Sequence, residues 1–312
     1  MTNFSRPEFG QKAIGFDGPT QLPGDDEQHR LWQKANKAWW ESAPMRYDWR
    51  EELAQSPGSK AYFQEIDRRF LASARSFLPW RDIPFDTIIP FANLRNKDVL
   101  EIGVGQGTHA QLLAPHAKFF AGIDLTGVAA RMTAKRLKLF DIPGSVLQMD
   151  AERMAFADGS FDFVWSWGVI HQSADTQRVL AEIHRVLRPG GSCAVMVYYR
   201  SWWNYYASGL LRAVLQRSWR KIRSLHHVSQ GATDGAIARY YKPNEWRAAT
   251  RTLFALDSVE IYGLKSDVVL LPHGRLKQFV MNMIPDVLAR FLTRDLRMGS
   301  LLVAHMRKAD PR

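Results

Sequence analysis

Val99-Leu100-Glu101-Ile102-Gly103-Val104-Gly105-Gln106-Gly107 is the stretch that decides the fold. An apolar run ends at an acid, and three glycines follow at alternate positions. The pattern predicts a strand over 98–102, a tight turn, and a helix starting near Thr108. Without Cβ atoms the turn can take positive φ and let backbone approach a ligand closely. The helix start adds N–H groups that have no intrahelical partner. A glycine-rich first turn occurs in many α/β proteins, so the segments after it must settle the ligand.

A second apolar run, residues 117–123, ends at Asp124, 21 residues after Gly103. An acid at the tip of the second strand is placed to accept hydrogen bonds from ribose hydroxyls. A dinucleotide site shares both features, but it spaces its glycines G-x-G-x-x-G, and here the third glycine comes one residue early. Ser145-Val146-Leu147-Gln148-Met149-Asp150-Ala151 places another Asp at the end of a third strand. Ser160-Phe161-Asp162-Phe163-Val164-Trp165-Ser166 is a fourth. Arg185-Val186-Leu187-Arg188-Pro189-Gly190-Gly191 closes a helix and turns into a fifth strand, 192–198. Helices alternating with short apolar strands imply an α/β fold with a largely parallel sheet.

The set E-x-G-x-G-x-G, strand-end Asp, strand-end Asp-Ala, Ser-Phe-Asp and Leu-Arg-Pro-Gly-Gly resembles the class I S-adenosylmethionine-dependent methyltransferases. The nearest branch is the small-molecule one that looks like the ubiquinone-biosynthesis methyltransferases. The resemblance is close over about 96–197 and loose elsewhere. It implies a Rossmann-like seven-stranded mixed sheet of order 3-2-1-4-5-7-6 with helices on both faces, the last strand running antiparallel between strands five and six. It also implies S-adenosylmethionine as cofactor, S-adenosylhomocysteine as product, and no metal.

Through the resemblance, Gly103, Gly105 and Gly107 let the backbone pass beside the methionine part of the donor. Glu101 helps hold its amino group, Asp124 binds the ribose hydroxyls, and Leu125 flanks the adenine. Asp150 accepts from the adenine amino group and the Ala151 N–H donates to the ring. For Asp124 and Asp150 the plainer alternative is a helix N-cap; a strand-end Glu such as Glu101 can equally bind nearby backbone.

The loop after strand four, Trp167-Gly168-Val169-Ile170-His171-Gln172, lies at the carboxyl ends of the strands, where α/β sheets bind ligands. Trp167 is placed with the donor. His171 is the candidate to contact the acceptor, as general base or as orienter, with a loop-fixing histidine as the alternative. Tyr47 is the second catalytic candidate, and Trp39 and Trp40 precede it as lid candidates. Trp202, Trp203, Tyr205 and Tyr206 form a second aromatic group, and Arg239-Tyr240-Tyr241 a third; aromatic faces suit a cationic or planar ligand, though core packing explains them as well. Gln172 and Tyr199 complete the acceptor candidates, and Arg46, Arg200 and Arg239 are placed to hold an acceptor carboxylate. Cys193 falls mid-strand as a core residue.

The chain has 312 residues, with 46% hydrophobic residues and a formal charge of +11. Its length fits one domain plus a cap. Residues 1–28 read as a mobile or loosely docked lead and 29–95 as a helical cap, with helices at 31–40 and 61–77. Residues 96–312 read as the methyltransferase domain, with inserts at about 200–240 and 264–298. Nine of the 11 tryptophans lie at 32, 39, 40, 49, 80, 202, 203, 219 and 246, outside the nucleotide core. An aromatic cap over the site follows.

The single cysteine excludes an internal disulfide or a cysteine zinc cluster. No apolar run reaches the roughly 18 residues of a membrane span, and the polar N-terminus lacks a signal segment. The cytoplasm is the compartment expected. Methyl transfer to O, N or S of a compact acceptor is the leading function. Three competitors stand beside it: a nucleic-acid methyltransferase, prompted by the charge; a membrane-surface enzyme acting on a quinone or lipid, prompted by the basic amphipathic stretch 210–225; and a non-catalytic donor-binding protein. No nucleic-acid partner is expected, because the loop after strand four lacks the Pro-Pro-aromatic pattern of adenine-amino methyltransferases. Peripheral membrane contact stays open, as does the oligomeric state.

Overall fold

The computed structural model describes residues 12–47, 52–215, 224–271 and 274–309. In chain order the elements are α1 (Asp26–Ser42), α2 (Lys60–Phe77), β1 (Asp98–Ile102), α3 (Thr108–Leu113), β2 (Phe119–Asp124), α4 (Gly127–Leu139) and β3 (Ser145–Gln148). Then come β4 (Phe161–Trp167), α5 (Thr176–Val186), β5 (Leu187–Tyr199), α6 (Ser208–Leu215), α7 (Leu225–Gly231), β6 (Tyr240–Tyr241) and α8 (Pro243–Thr250). The chain closes with β7 (Phe254–Tyr262), α9 (Lys265–Val268), α10 (Arg275–Met283), α11 (Asp286–Arg290) and β8 (Leu301–Lys308).

The sheet order is β3-β2-β1-β4-β5-β8-β7. β1 pairs in parallel with β2 and β4, whereas β8 lies antiparallel between β5 and β7. That is the expected order, with β8 in the role of the seventh strand. The short β6, which no sequence pattern announced, adds a two-residue parallel pairing to β5, Tyr198 opposite Tyr240.

Alternation along the strands divides the core in two. Leu100, Ile102, Val164 and Val195 face α5 and α8, in one cluster with Ile183 and Trp246. Val99, Phe163, Trp165 and Ala194 face the other way, onto Phe70 of α2 and Ala110 and Leu113 of α3. β1 is buried along four of its five residues, as a central parallel strand must be. β5 begins earlier than its apolar run suggested. Arg188 clamps it to the neighbouring strands, donating to Asp98 at 2.7 Å and Asp162 at 2.6 Å.

The described part of the N-terminal lead is docked. Residues 12–24 are docked against the segment before β6. Ala13 N–H donates to the Ala236 carbonyl at 3.0 Å and Tyr240 N–H to the Pro19 carbonyl at 2.7 Å. Phe16 is buried edge-on against Trp32, centroids 5.1 Å apart. α1 starts five residues before the predicted helix because Asp25 caps it, Oδ1 accepting from Gln28 N–H at 2.7 Å. Composition alone makes this stretch look loose; its backbone hydrogen-bond partners Ala236 and Tyr240 are more than two hundred residues away in sequence.

After β5 the chain forms a wide helical turn over 202–207, then α6 and α7. Arg217, Trp219, Arg220, Lys221 and Arg223 of the predicted basic helix lie outside the described residues, as does Trp49. Among the described residues no helix is long and apolar enough to cross a membrane.

Candidate active site

The carboxyl ends of β1, β2 and β3 form the floor of a cavity of about 530 Å³. Its size is within the range of small-molecule sites. The three loop glycines all have positive φ, yet their roles differ. A Cβ on Gly103 would stand 2.1 Å from a Val169 methyl, and one on Gly107 would stand 2.9 Å from Thr133 Cγ2. These two glycines are required by packing. A Cβ on Gly105 would meet nothing within 4 Å, so it would project into open cavity. Gly105 is the close-approach position.

Asp124 closes this loop. Its Oδ2 accepts from Gly105 N–H at 3.2 Å, while Oδ1 accepts from Thr126 N–H at 2.9 Å and the Thr126 hydroxyl at 2.8 Å. Burial raises its pKa, against those hydrogen bonds. Glu101 lies beneath the loop and does not line the cavity. Its Oε2 is buried with no hydrogen-bond partner. Burial, reinforced by the Asp124 charge, pushes its pKa well above the usual carboxylate range. Asp124 is satisfied on both oxygens, whereas the orphaned Glu101 oxygen calls for a partner from outside the protein.

Asp150 stands just past β3. Its Oδ1 accepts from Glu152 N–H at 2.9 Å and its Oδ2 from Gln33 Nε2 at 2.8 Å. Gln33 belongs to α1, and with Asn36 and Trp40 it lines the cavity at spacing i, i+3, i+7. Asn36 is buried with Oδ1 unpartnered. α1 is therefore a lid whose polar face closes on the Asp150 side. Tyr47, at φ 56°, lines the wall against Phe70, centroids 4.9 Å apart, and burial raises its hydroxyl pKa.

Gly103, Gly105, Asp124, Leu125, Asp150, Ala151, Trp167, Gln172, Tyr47, Trp40 and Tyr240 all line the one cavity. Tyr205 joins them, its hydroxyl 3.1 Å from His226 Nδ1. The remaining candidates do not. His171 is fully buried behind Tyr198, centroids 4.0 Å apart, and both ring nitrogens lack partners. Burial lowers its pKa to about 3, so it stays neutral, and it does not line the cavity although Ile170, Gln172 and Tyr198 beside it do. This structure places it in the layer behind the cavity wall.

Arg239 is fully buried and spends its guanidinium on the carbonyls of Gln21, Ser173 and Ala174, at 2.5–2.7 Å, stitching the lead to the loop after β4. Arg200 pairs with Glu245. Tyr199 and Tyr241 belong to the core with Trp246. Trp203 donates to the Val268 carbonyl at 3.0 Å, and Tyr206 faces Lys242 at 5.6 Å. Arg46 sits outside the lining. Trp39 is covered by the Lys12 ammonium at 4.3 Å, and Trp202 faces solvent.

Several lining groups carried no motif. His109, two residues after Gly107, sits among Phe70, Phe85, Trp165 and Trp167 with both nitrogens unpartnered. Burial lowers its pKa to about 3. Asp267, from the second insert, accepts from Leu264 N–H at 2.9 Å and Ser300 Oγ at 2.6 Å, and burial raises its pKa to about 6. Arg212 and Lys277 line the same end. Among the described residues no group of three His, Cys, Asp or Glu is placed to hold a metal ion.

With this geometry in place, comparison with known proteins is informative. Residues 100–195 match the family model described as "Methyltransferase domain". A Mycobacterium tuberculosis phthiotriol/phenolphthiotriol dimycocerosates methyltransferase is 38% identical over 102 residues, 32% of this chain and 37% of that one. A Ralstonia nicotianae ubiquinone biosynthesis O-methyltransferase is 25% identical over 67% of this chain and 84% of its own length. A Bacillus halodurans protein solved as a candidate methyltransferase shares the fold at 18% identity, TM-score 0.50, covering 72% of this chain and 99% of that one. The chain spans little more than a third of the length of the first of these relatives. The chain thus contains a domain of the class I S-adenosylmethionine-dependent methyltransferase family.

Proposed function

We propose that this chain transfers the S-methyl group of S-adenosylmethionine to an O, N or S atom of a small-molecule acceptor held under the cap. One observation carries the reading: the open cradle at Gly105 and the carboxylates of Asp124 and Asp150 converge on one cavity that α1 and the two inserts cover. Asp124 and Asp150 each have lone pairs left after their present hydrogen bonds. Asp124 would take the ribose hydroxyls and Asp150 the adenine amino group, with Leu125 and Ala151 beside the ring. Glu101, one layer beneath the cavity, would reach the donor's ammonium through water.

The sulfonium brings its own leaving group, so the protein's task is alignment and exclusion of water. As the acceptor lone pair bonds the methyl carbon, the carbon–sulfur bond breaks and the sulfonium becomes a neutral thioether. The acceptor's proton, where it has one, passes to a chamber base or to water. His109 is neutral and lines the chamber, so a ring nitrogen is available to orient the acceptor; burial makes it a weak base, and its role is positioning. No metal has a part in this scheme.

Two measurements test the reading. Titration calorimetry should show S-adenosylhomocysteine binding by the wild type. Labelled donor incubated with candidate acceptors should then yield labelled product; absence of both binding and label would remove the function.

A further inference from the structure

The inserts leave a surface that folding does not explain. α10 buries only Met281. It turns Leu276, Phe279 and Met283, spaced i, i+3, i+7, to solvent at 64, 62 and 67% exposure. A globular helix normally hides such a stripe against its own core. Val287 at 71% and Phe291 at 50% continue the surface along α11 and the turn after it. On the first insert, α6 exposes Leu210 and Val214. The two inserts are joined: Trp202 Nε1 donates to the Leu296 carbonyl at 3.1 Å, and both residues are exposed. An apolar area spread over two elements marks an interaction surface.

Its charge selects the partner. The described α6 carries Arg212 and no Asp or Glu. Arg275 and Lys277 interleave with the apolar stripe of α10. A second copy would bring Arg212, Arg275 and Lys277 of α6 and α10, helices with no acid of their own, against themselves, which is unfavourable at a two-fold interface. A nucleic acid would satisfy the cations but leave the leucines and phenylalanines wet. An anionic bilayer satisfies both, apolar groups entering the acyl boundary and cations meeting the headgroups. Arg212 of α6 and Lys277 of α10 also line the cavity, so the chamber reaches this same face.

We propose that the exposed faces of α6, α10 and α11 dock the protein on an anionic lipid surface, with the chamber opening toward it. An amphiphilic acceptor would then enter from the bilayer. Docking itself is independent of the transfer chemistry; only the acceptor's route rests on it.

The test is co-sedimentation of the whole chain with phosphatidylcholine vesicles, with and without phosphatidylglycerol, at low and high salt. Binding should require phosphatidylglycerol and weaken with salt. Phe279→Glu combined with Val287→Glu should lower partitioning at least about tenfold. Melting temperature and S-adenosylhomocysteine affinity should stay unchanged, since neither residue touches the cavity. Three results would overturn the proposal: no binding to phosphatidylglycerol vesicles, equal binding by the double variant, or a dimer that the double variant dissolves without any vesicle binding. Loss of donor binding with docking intact would sink the transferase reading alone.

Discussion

The strand tips and the cap are built in opposite ways. At the tips, each polar group follows directly from its own strand: Gly105 after β1, Asp124 at the end of β2, Asp150 after β3. Sheet pairing alone brings them together, because parallel neighbours in register end at the same edge. In the cap, the lining side chains come from α1, Tyr47, the inserts after β5 and β7, and the start of β8. Their meeting depends on tertiary packing among segments far apart in sequence. The lesson is that the donor end is fixed by backbone topology, whereas the acceptor end is fixed by side-chain packing and can be remodelled without disturbing the sheet.

Perturbing the tips should have the largest effect. Asp124→Ala removes charge-assisted acceptors each worth about 1.5–3 kcal/mol, so donor affinity should fall roughly a hundredfold or more. Calorimetry with S-adenosylhomocysteine, alongside circular dichroism to verify the fold, reads this out; undiminished affinity would break the contrast with the cap.

The glycines sharpen it. Gly103→Ala should cost about 3 kcal/mol of stability, combining left-handed strain with the collision against Val169. Gly105→Ala should cost only about 1 kcal/mol, since it meets no protein atom, but should weaken donor binding. Equal melting-temperature losses would erase the distinction between packing and approach positions.

His171 supplies a pH test of its demotion to the core. Its folded pKa, about 3, lies below that of an unfolded histidine, so between about pH 3 and 6.5 the unfolded state binds more protons. Stability from this group is therefore lost as pH falls through that window. Relative to His171→Phe, the wild type should lose up to about 1.4 kcal/mol per pH unit below about pH 6. Asp267 and Glu101, both raised, act in the other direction, so the informative quantity is the difference between the two melting curves. Transfer activity should survive His171→Phe; its loss would return the residue to the mechanism.

The smallest effect belongs to Asp267. With its pKa near 6, the acceptor KM should shift a few-fold across that pH, and Asp267→Asn should flatten the shift. An unaltered profile would place Asp267 outside acceptor binding.

How far the sequence reveals the molecule follows the same division. The glycine turn, the strand-end acids and the 3.6-residue periodicity of α2 and α5 are local, so the sheet and its donor edge are legible from them. The chain order of the last strands is legible only through resemblance. Arg239 and His171 read as functional because polar residues near a strand end usually face solvent or ligand. Here the docked lead covers Arg239, and Tyr198 covers His171. Gln33 and Asn36 were overlooked although they recur on one face of α1 with Trp40, a polar stripe where a purely structural helix would be apolar. His109 carried no pattern at all; its importance comes from four aromatic neighbours supplied by α2, the segment after it and β4.

The most direct measurement is a crystal structure of the chain grown with S-adenosylhomocysteine. The nucleoside should lie across the tips of β1, β2 and β3, its ribose on Asp124, its adenine amino group toward Asp150 and its sulfur facing the chamber beneath α1. Density for the nucleoside at any other place, with Gly105 and Asp124 untouched, would contradict the account.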